Sequence, residues 1–177
     1  LQHFKGVEIK AAQPCFSPDT AILMDFRCDQ SRGIHFIYLL PYSPTEALVE
    51  STMLSPKRQN DEFYAEAIKT YLETYWATGG WQVNHTEQGC IPMAFVEPGN
   101  LDYLPIGANG GCVRPSSGYA FAFIQKHTDA IVDRLVLSGP DPLTPATMPR
   151  PISRLDLFLD RIFLHVIRHH PEKAAEL

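Results

Sequence analysis

The chain has 177 residues, 45% of them hydrophobic, with 20 acidic against 15 basic side chains and a formal net charge of −5. That composition suits one domain, or one large part of a bigger one, with an apolar core. With no dense Lys/Arg run, it argues against nucleic acid as a partner. Cys15, Cys28, Cys90 and Cys112 are widely spaced and form no C-x-x-C pair. They read as reduced thiols of a cytosolic protein rather than zinc ligands. No apolar run approaches the roughly 20 residues of a membrane span. No signal peptide follows Leu1, which reads as an internal residue of a longer protein.

The first 55 residues read as strands in an antiparallel meander. Val7 to Ala12 is short and mixed. Ala21 to Arg27 alternates, with Ile22, Met24 and Phe26 on one face and Leu23, Asp25 and Arg27 on the other. Ile34 to Leu40 is apolar on both faces except at His35, so a central strand covered on both sides is expected. Glu46 to Leu54 alternates again, with Leu48, Glu50 and Thr52 on one face. A helix follows. Asn60 is its N-cap, Asp61 and Glu62 suit its first turn, and Tyr64, Ile68, Tyr71, Leu72 and Tyr75 form its apolar stripe. Gly79-Gly80 is expected to stop it. Trp81 to Val96 reads as two strands with a turn near Gly89. Tyr103 to Ile106 leads into a glycine loop. A second helix is expected from about Ser117 to Leu137, with Phe121, Ile124, Ile131 and Leu135 inward. Ser138 to Pro151 is a proline-rich loop. Ser153 to Asp156 resembles a capping box and opens a last helix ending near His169-His170-Pro171.

The fold class expected is α+β, an antiparallel sheet with covering helices. Residues 1–106 form the sheet domain with one helix, and 107–177 hold the glycine loop and the C-terminal helices. The stretch from Pro105 to Tyr119 is the most informative. Glycines let backbone N–H groups approach a ligand, and a helix start offers unpaired donors. Both suit a phosphate, a carboxylate or the edge of a flavin. Neither G-x-x-x-x-G-K-[ST] nor G-x-G-x-x-G occurs in the 177 residues. Ser116 and Ser117 suit caps as well as nucleophiles. Glu50 sits mid-strand, where apolar surroundings would keep a carboxyl protonated and able to act as an acid. A solvated residue on an open sheet face is the other reading. Asp25 and Arg27 either pair with each other or help line a site. The seven histidines show no metal-ligand spacing, and His169-His170 suits the dipole at a helix C-terminus.

Three segments together resemble the flavin-dependent lycopene cyclase family, bacterial β-cyclases most of all. The first is Leu23 to Arg27 with Asp29-Gln30. The second is His35 to Pro41, then Ser43-Pro44-Thr45 and Leu48 to Thr52. The third is Gly107 to Tyr119. Leu157 to Leu164 also resembles the family's final helix. The resemblance implies the C-terminal part of a two-domain flavoprotein, with an antiparallel-sheet substrate domain beside a Rossmann-type FAD domain whose dinucleotide fingerprint is not in this chain. It implies conversion of lycopene ends to rings, giving β-carotene, with FAD kept reduced by NAD(P)H and no net redox change. Val49-Glu50-Ser51-Thr52 matches the family's acidic motif, which makes Glu50 catalytic, with Asp25 a second candidate. Ser51 stands where some members have a second carboxylate. Gly107, Gly110, Gly111, Pro115, Gly118 and Tyr119 match the segment that approaches the flavin. Partners implied are the carotenoid, the N-terminal FAD domain and a peripheral membrane surface, in a cytoplasmic protein. The fragment alone is expected to bind FAD weakly and to be inactive. A related flavin-dependent reductase or hydroxylase, and a non-catalytic isoprenoid-binding module, are the competing readings.

Overall fold

A computed structural model describes residues 1–95, 103–138, 143–144 and 147–170. They fall into two compact units, Leu1–Ile91 and Pro92–His170. The first unit is a five-stranded antiparallel sheet with one helix. Its elements are β1 (Gln2–Ala11), β2 (Ile22–Asp25), β3 (Ile34–Pro41), β4 (Glu46–Leu54), α1 (Asp61–Tyr75) and β5 (Trp81–Ile91), in the spatial order β2-β3-β4-β1-β5. The short turns after β2 and β3 keep β2, β3 and β4 neighbours, as the meander reading expected. β1 departs from it. Residues 12–21 separate β1 from β2, long enough to leave the sheet edge, and β1 instead fills the gap between β4 and β5.

Alternation gives the sheet two faces. Val7, Ile9 and Ala11 of β1, Ile37 and Leu39 of β3, and Ala47 and Val49 of β4 pack on Ile68, Tyr71 and Leu72 of α1. Each buried Val, Ile or Leu among them contributes roughly 1.5–3 kcal/mol. The α1 stripe arises because its apolar residues recur every three or four positions. Asn60 caps the helix by accepting from the Phe63 amide at 3.2 Å. The helix ends at Tyr75, four residues before Gly79. Trp76 turns extended there and gives its N–H to the Leu72 carbonyl. Gly79 (φ +64°) and Gly80 (φ +101°) make the turn into β5, and the Gln13 side chain occupies the space a Gly79 Cβ would need.

The expected turn at Gly89 is not there. β5 is one strand to Ile91, and Gly89 faces Phe4 of β1. A Cβ at Gly89 would lie 2.6 Å from the Phe4 ring, so this glycine serves ring packing rather than reversal. Val96 lies outside the described residues.

The second unit holds α2 (Phe121–Ser138) and α3 (Arg154–His169). α2 starts later than Ser117. The Arg114 carbonyl takes the N–H groups of both Ser117 and Gly118, and Gly118 has φ +70°, which closes a separate turn first. Phe121 (69% exposed) and Leu135 (51%) are not inward as expected. Ile124 and Ile131 are partly buried. At the start of α3, Ser153 is the N-cap: its hydroxyl accepts from the Asp156 amide and donates to the Asp156 carboxylate at 2.7 Å, a side-chain contact in place of the backbone half of a capping box. Arg168 and His169 occupy its last turn, where cations suit the dipole. Part of the expected 138–151 loop lies outside the described residues.

Candidate functional site

Glu50 faces away from α1. It lies opposite Tyr38 of β3 and Gly6 of β1. Directly paired residues share a face, so Phe4, Phe36, Tyr38, Leu48 and Thr52 stand on the same side. Phe36 is 2% exposed and Thr52 fully buried. The Phe26 ring, just past β2, meets Phe36 of β3 at 5.7 Å between centroids, and Phe36 meets Tyr38 at 5.3 Å, so the row ends opposite Glu50. The Thr52 hydroxyl donates to Glu50 Oε1 at 2.5 Å. Burial pushes the Glu50 carboxyl above the ordinary range; the Thr52 hydrogen bond pulls against that, and the charge of Glu87 adds to it. Burial and Glu50 together also raise the Tyr38 phenol. The arrangement is a half-buried carboxyl of raised proton affinity beside an aromatic row.

Asp25 stands on the opposite face. The register slips between Ile22, which pairs with Leu39, and Asp25, which pairs with Ile37. One extra residue there makes a bulge, and Met24 takes φ +52°. Ile22 and Asp25 therefore share the α1 face, where strict alternation had put them on different faces. The Asp25 carboxylate accepts from Arg27 Nε at 2.9 Å, Arg27 Nη2 at 2.6 Å and the Tyr71 hydroxyl at 2.7 Å. These bonds, Arg27 foremost, hold its carboxyl well below the usual range, and the Tyr71 phenol is pushed up to about 12 by burial and by Asp25. The Arg27 guanidinium lies 4.2 Å over the Tyr75 ring. The structure brings Asp25 and Arg27 together, and does not bring Asp25 to Glu50.

Ser51 also faces α1 and is fully buried, bonded to His35 Nε2 at 2.8 Å. His35 Nδ1 meets the Asp29 carbonyl at 3.0 Å, which fixes the proton on Nδ1 and leaves Nε2 to accept from Ser51. A second buried relay was not visible in the sequence. Gln59 N–H donates to the Tyr64 oxygen, Tyr64 O–H donates to His3 Nδ1 at 2.5 Å, His3 Nε2–H donates to Ser55 at 2.9 Å, and Ser55 donates to the Lys57 carbonyl at 2.6 Å. Burial lowers the proton affinity of both histidines. A lone histidine carries no spacing signal, so neither role could be read beforehand.

In the second unit, residues 107–112 fold into overlapping tight turns. Gly110 N–H bonds the Ile106 and Gly107 carbonyls, Gly111 N–H the Ala108 carbonyl and Cys112 N–H the Gly107 carbonyl. Gly107 (φ +61°) and Gly111 (φ +82°) require glycine for conformation, and a Cβ at Gly107 would enter open space. Gly110 is glycine for packing, since a Cβ would come 2.6 Å from the Pro105 carbonyl. The loop thus offers open backbone at Gly107 and fits the approach of a flat ring, although the N–H groups of Gly110 and Gly111 are taken internally. Ser116 is no helix cap. It donates to Asp160, which also accepts from Arg114 Nε at 2.8 Å and Nη2 at 2.6 Å, so the buried Asp160 ties the 114–118 turn to α3. Tyr119 is half exposed and packs edge-on with Phe123. His127 Nε2–H donates to the Pro149 carbonyl, so its Nδ1 accepts from the Cys112 thiol at 3.3 Å. Burial raises that thiol, which suits packing rather than nucleophilic attack. Among the described residues, no group of three or more His, Cys, Asp or Glu is placed to hold a metal ion, and no helix is long and apolar enough to cross a membrane.

A family model described as lycopene cyclase protein matches residues 1–172. Lycopene beta-cyclase of Pantoea ananas is 31% identical, over 96% of this chain and 40% of its own length. Lycopene beta-cyclase of Paracoccus sp. is 31% identical, over 79% of this chain and 37% of its own. The chain therefore spans about two fifths of the relatives it matches. A geranylgeranyl bacteriochlorophyll reductase-like protein from Thermoplasma acidophilum shares the fold at TM-score 0.53, with 11% identity over 94% of this chain and 39% of the other. With the match running over nearly all its residues, the chain belongs to the lycopene cyclase family.

Proposed function

We propose that this chain is the substrate-domain part of a lycopene β-cyclase that closes the open ends of lycopene into β-rings. The observation that carries the reading is Glu50, a half-buried carboxyl of raised proton affinity at the end of the Phe26–Phe36–Tyr38 row. Ring closure without net redox change needs a proton added at a terminal C=C and another removed from the ring carbon. Thr52 donates to Oε1 of Glu50, which leaves Oε2 to carry the mobile proton. Oε2–H gives its proton to the alkene, the carbocation closes the ring, and the carboxylate recovers a proton as the ring double bond forms. Atoms and charge balance, and one carboxyl of raised proton affinity can serve both steps. The buried Phe36 ring keeps water from one side, and the faces of the aromatic row stabilise the cation.

FAD, reduced by NAD(P)H, fits the open glycine backbone of the second unit, with Gly107, Gly110, Gly111, Pro115, Gly118 and Tyr119 as the residues that would hold it. Bound there, it would supply an electron-rich ring system. Asp25 is assigned a structural role, paired with Arg27 and Tyr71. The remaining partners proposed are an N-terminal FAD domain and a peripheral membrane surface on a cytoplasmic protein. The test is the full-length protein carrying this chain, given lycopene, FAD and NAD(P)H under reducing conditions, with products separated by chromatography. β-Carotene supports the reading. A hydrogenated or hydroxylated isoprenoid points instead to reductase or hydroxylase chemistry, and unchanged lycopene that stays bound points to a binding module.

A further inference from the structure

Glu50 has a partner that the sequence pattern concealed. Glu50 of β4 pairs with Gly6 of β1, and Gly6 pairs with Glu87 of β5, so the three positions form one row across the sheet. Strand spacing sets the Cα atoms of the two glutamates about 10 Å apart. Gly6 places no side chain between them. A Cβ there would lie 3.0 Å from both Cγ and Oε1 of Glu87 and 3.3 Å from Leu48 Cδ1, so the Glu87 side chain lies over Gly6 and not out beyond the sheet edge. The position next to Glu50 in β4 cannot do the same. Ser51 points to the α1 face, where it bonds His35.

We propose that Glu87, reaching over Gly6, is a positioning residue that acts through Glu50 as the second carboxyl group of this site. The inference rests on the reading of Glu50 as the acid–base group. Two like charges on one row disfavour joint ionisation, so a charged Glu87 keeps the proton on the more buried Glu50. That agrees with Glu87 being among the causes that raise Glu50. Glu87 is exposed on the edge strand and stays in touch with solvent. Among the described residues, the other charged or titratable groups on this face are Tyr38 from β3, Tyr42 from the turn after β3, Glu8 and Lys10 from β1, Glu46 from β4 and His85 from β5. Tyr42 feels the charges of Glu8 and Glu87. Lys10 and Glu46 pair with each other at 3.4 Å.

The test is a carbon-13 NMR titration of the glutamate carboxyl groups in this chain, as wild type, Glu87→Gln, Glu87→Asp and Glu8→Gln. In Glu87→Gln the Glu50 midpoint should fall by about 0.3–1 pH unit. Glu87→Asp should restore part of the shift, and Glu8→Gln should leave Glu50 nearly where it is. Glu87 is exposed, so the variant is expected to fold, and the spectrum itself reports whether it has. In the full-length cyclase, Glu87→Gln should move the alkaline limb of the rate profile to lower pH by the same amount and keep turnover on the acid side. A Glu50 midpoint unmoved by Glu87→Gln, or moved equally by Glu8→Gln, overturns the proposal. If the midpoint moves but Glu50→Gln keeps its cyclisation rate, the coupling stands, and it is the acid–base reading of Glu50 that falls.

Discussion

Replacing Asp25 by Asn should loosen the sheet–helix contact and leave the chemistry on the other face alone. The carboxylate receives Arg27 at both oxygens and the Tyr71 hydroxyl at Oδ2. An Asn amide offers one acceptor oxygen, and its NH2 must meet donors at the second position. The Arg27 side chain is 59% exposed and recovers its hydration, so it adds nothing to the sum. Tyr71 is 2% exposed and loses a charge-assisted bond for a weaker one. That difference costs about 1–2 kcal/mol. For a chain of this size it lowers Tm by roughly 2–8 °C. Two further signatures follow. Tyr71, pushed up to about 12, should titrate closer to its ordinary value, read by ultraviolet absorbance in alkali, although burial, the larger cause, remains. The stability the Asp25 carboxylate supplies is present above its unfolded pKa of about 4 and lost as pH falls through its lower folded value. The variant should therefore lose less stability in acid than wild type. If Asp25→Asn keeps the wild-type Tm and Tyr71 titration yet abolishes cyclisation, the placement of Asp25 behind the sheet is refuted.

Two other outcomes are expected. His3 and His35 have lowered folded pKa values, so their contribution is complete above about pH 6.5 and is lost as pH falls below it, at up to about 1.4 kcal/mol per unit for each. Denaturant melts at about pH 7.5 and pH 5.5 should show this, and a flat profile would contradict the two relays. Asp160→Ala strips the acceptor from Arg114 and Ser116 and should cost about 2–4 kcal/mol. Hydrogen exchange at residues 114–118 should rise before it does in the sheet.

Local signals were read well from the sequence and long-range ones poorly. β4 and α1 announce themselves by periods of two and near 3.6, and β3 by an unbroken apolar run, signals that belong to the segment itself. The place of β1 depends on partners some 45 and 80 residues away, which no local pattern contains. The bulge at Met24 was hidden because Ala21 to Arg27 keeps alternating in sequence while its register slips in space. Gly89 carried the signal of a turn but serves the Phe4 ring, and that reading kept Glu87 out of the row it shares with Glu50. The side of the sheet on which Glu50 and Thr52 fall was legible from alternation, whereas the hydrogen bond between them and the burial around them were not.

The most direct measurement is cyclisation of lycopene by the full-length protein with Glu50→Gln, assayed with FAD and NAD(P)H under reducing conditions. Gln keeps the shape and the Thr52 hydrogen bond at Oε1, and it removes a carboxyl that burial already holds toward neutrality, so the melting temperature should barely change. Without an exchangeable proton, β-carotene formation should fall by about 10²- to 10⁴-fold. A folded Glu50→Gln protein that retains more than about a tenth of the wild-type rate would contradict the account, since that lies outside the range for a general acid–base group.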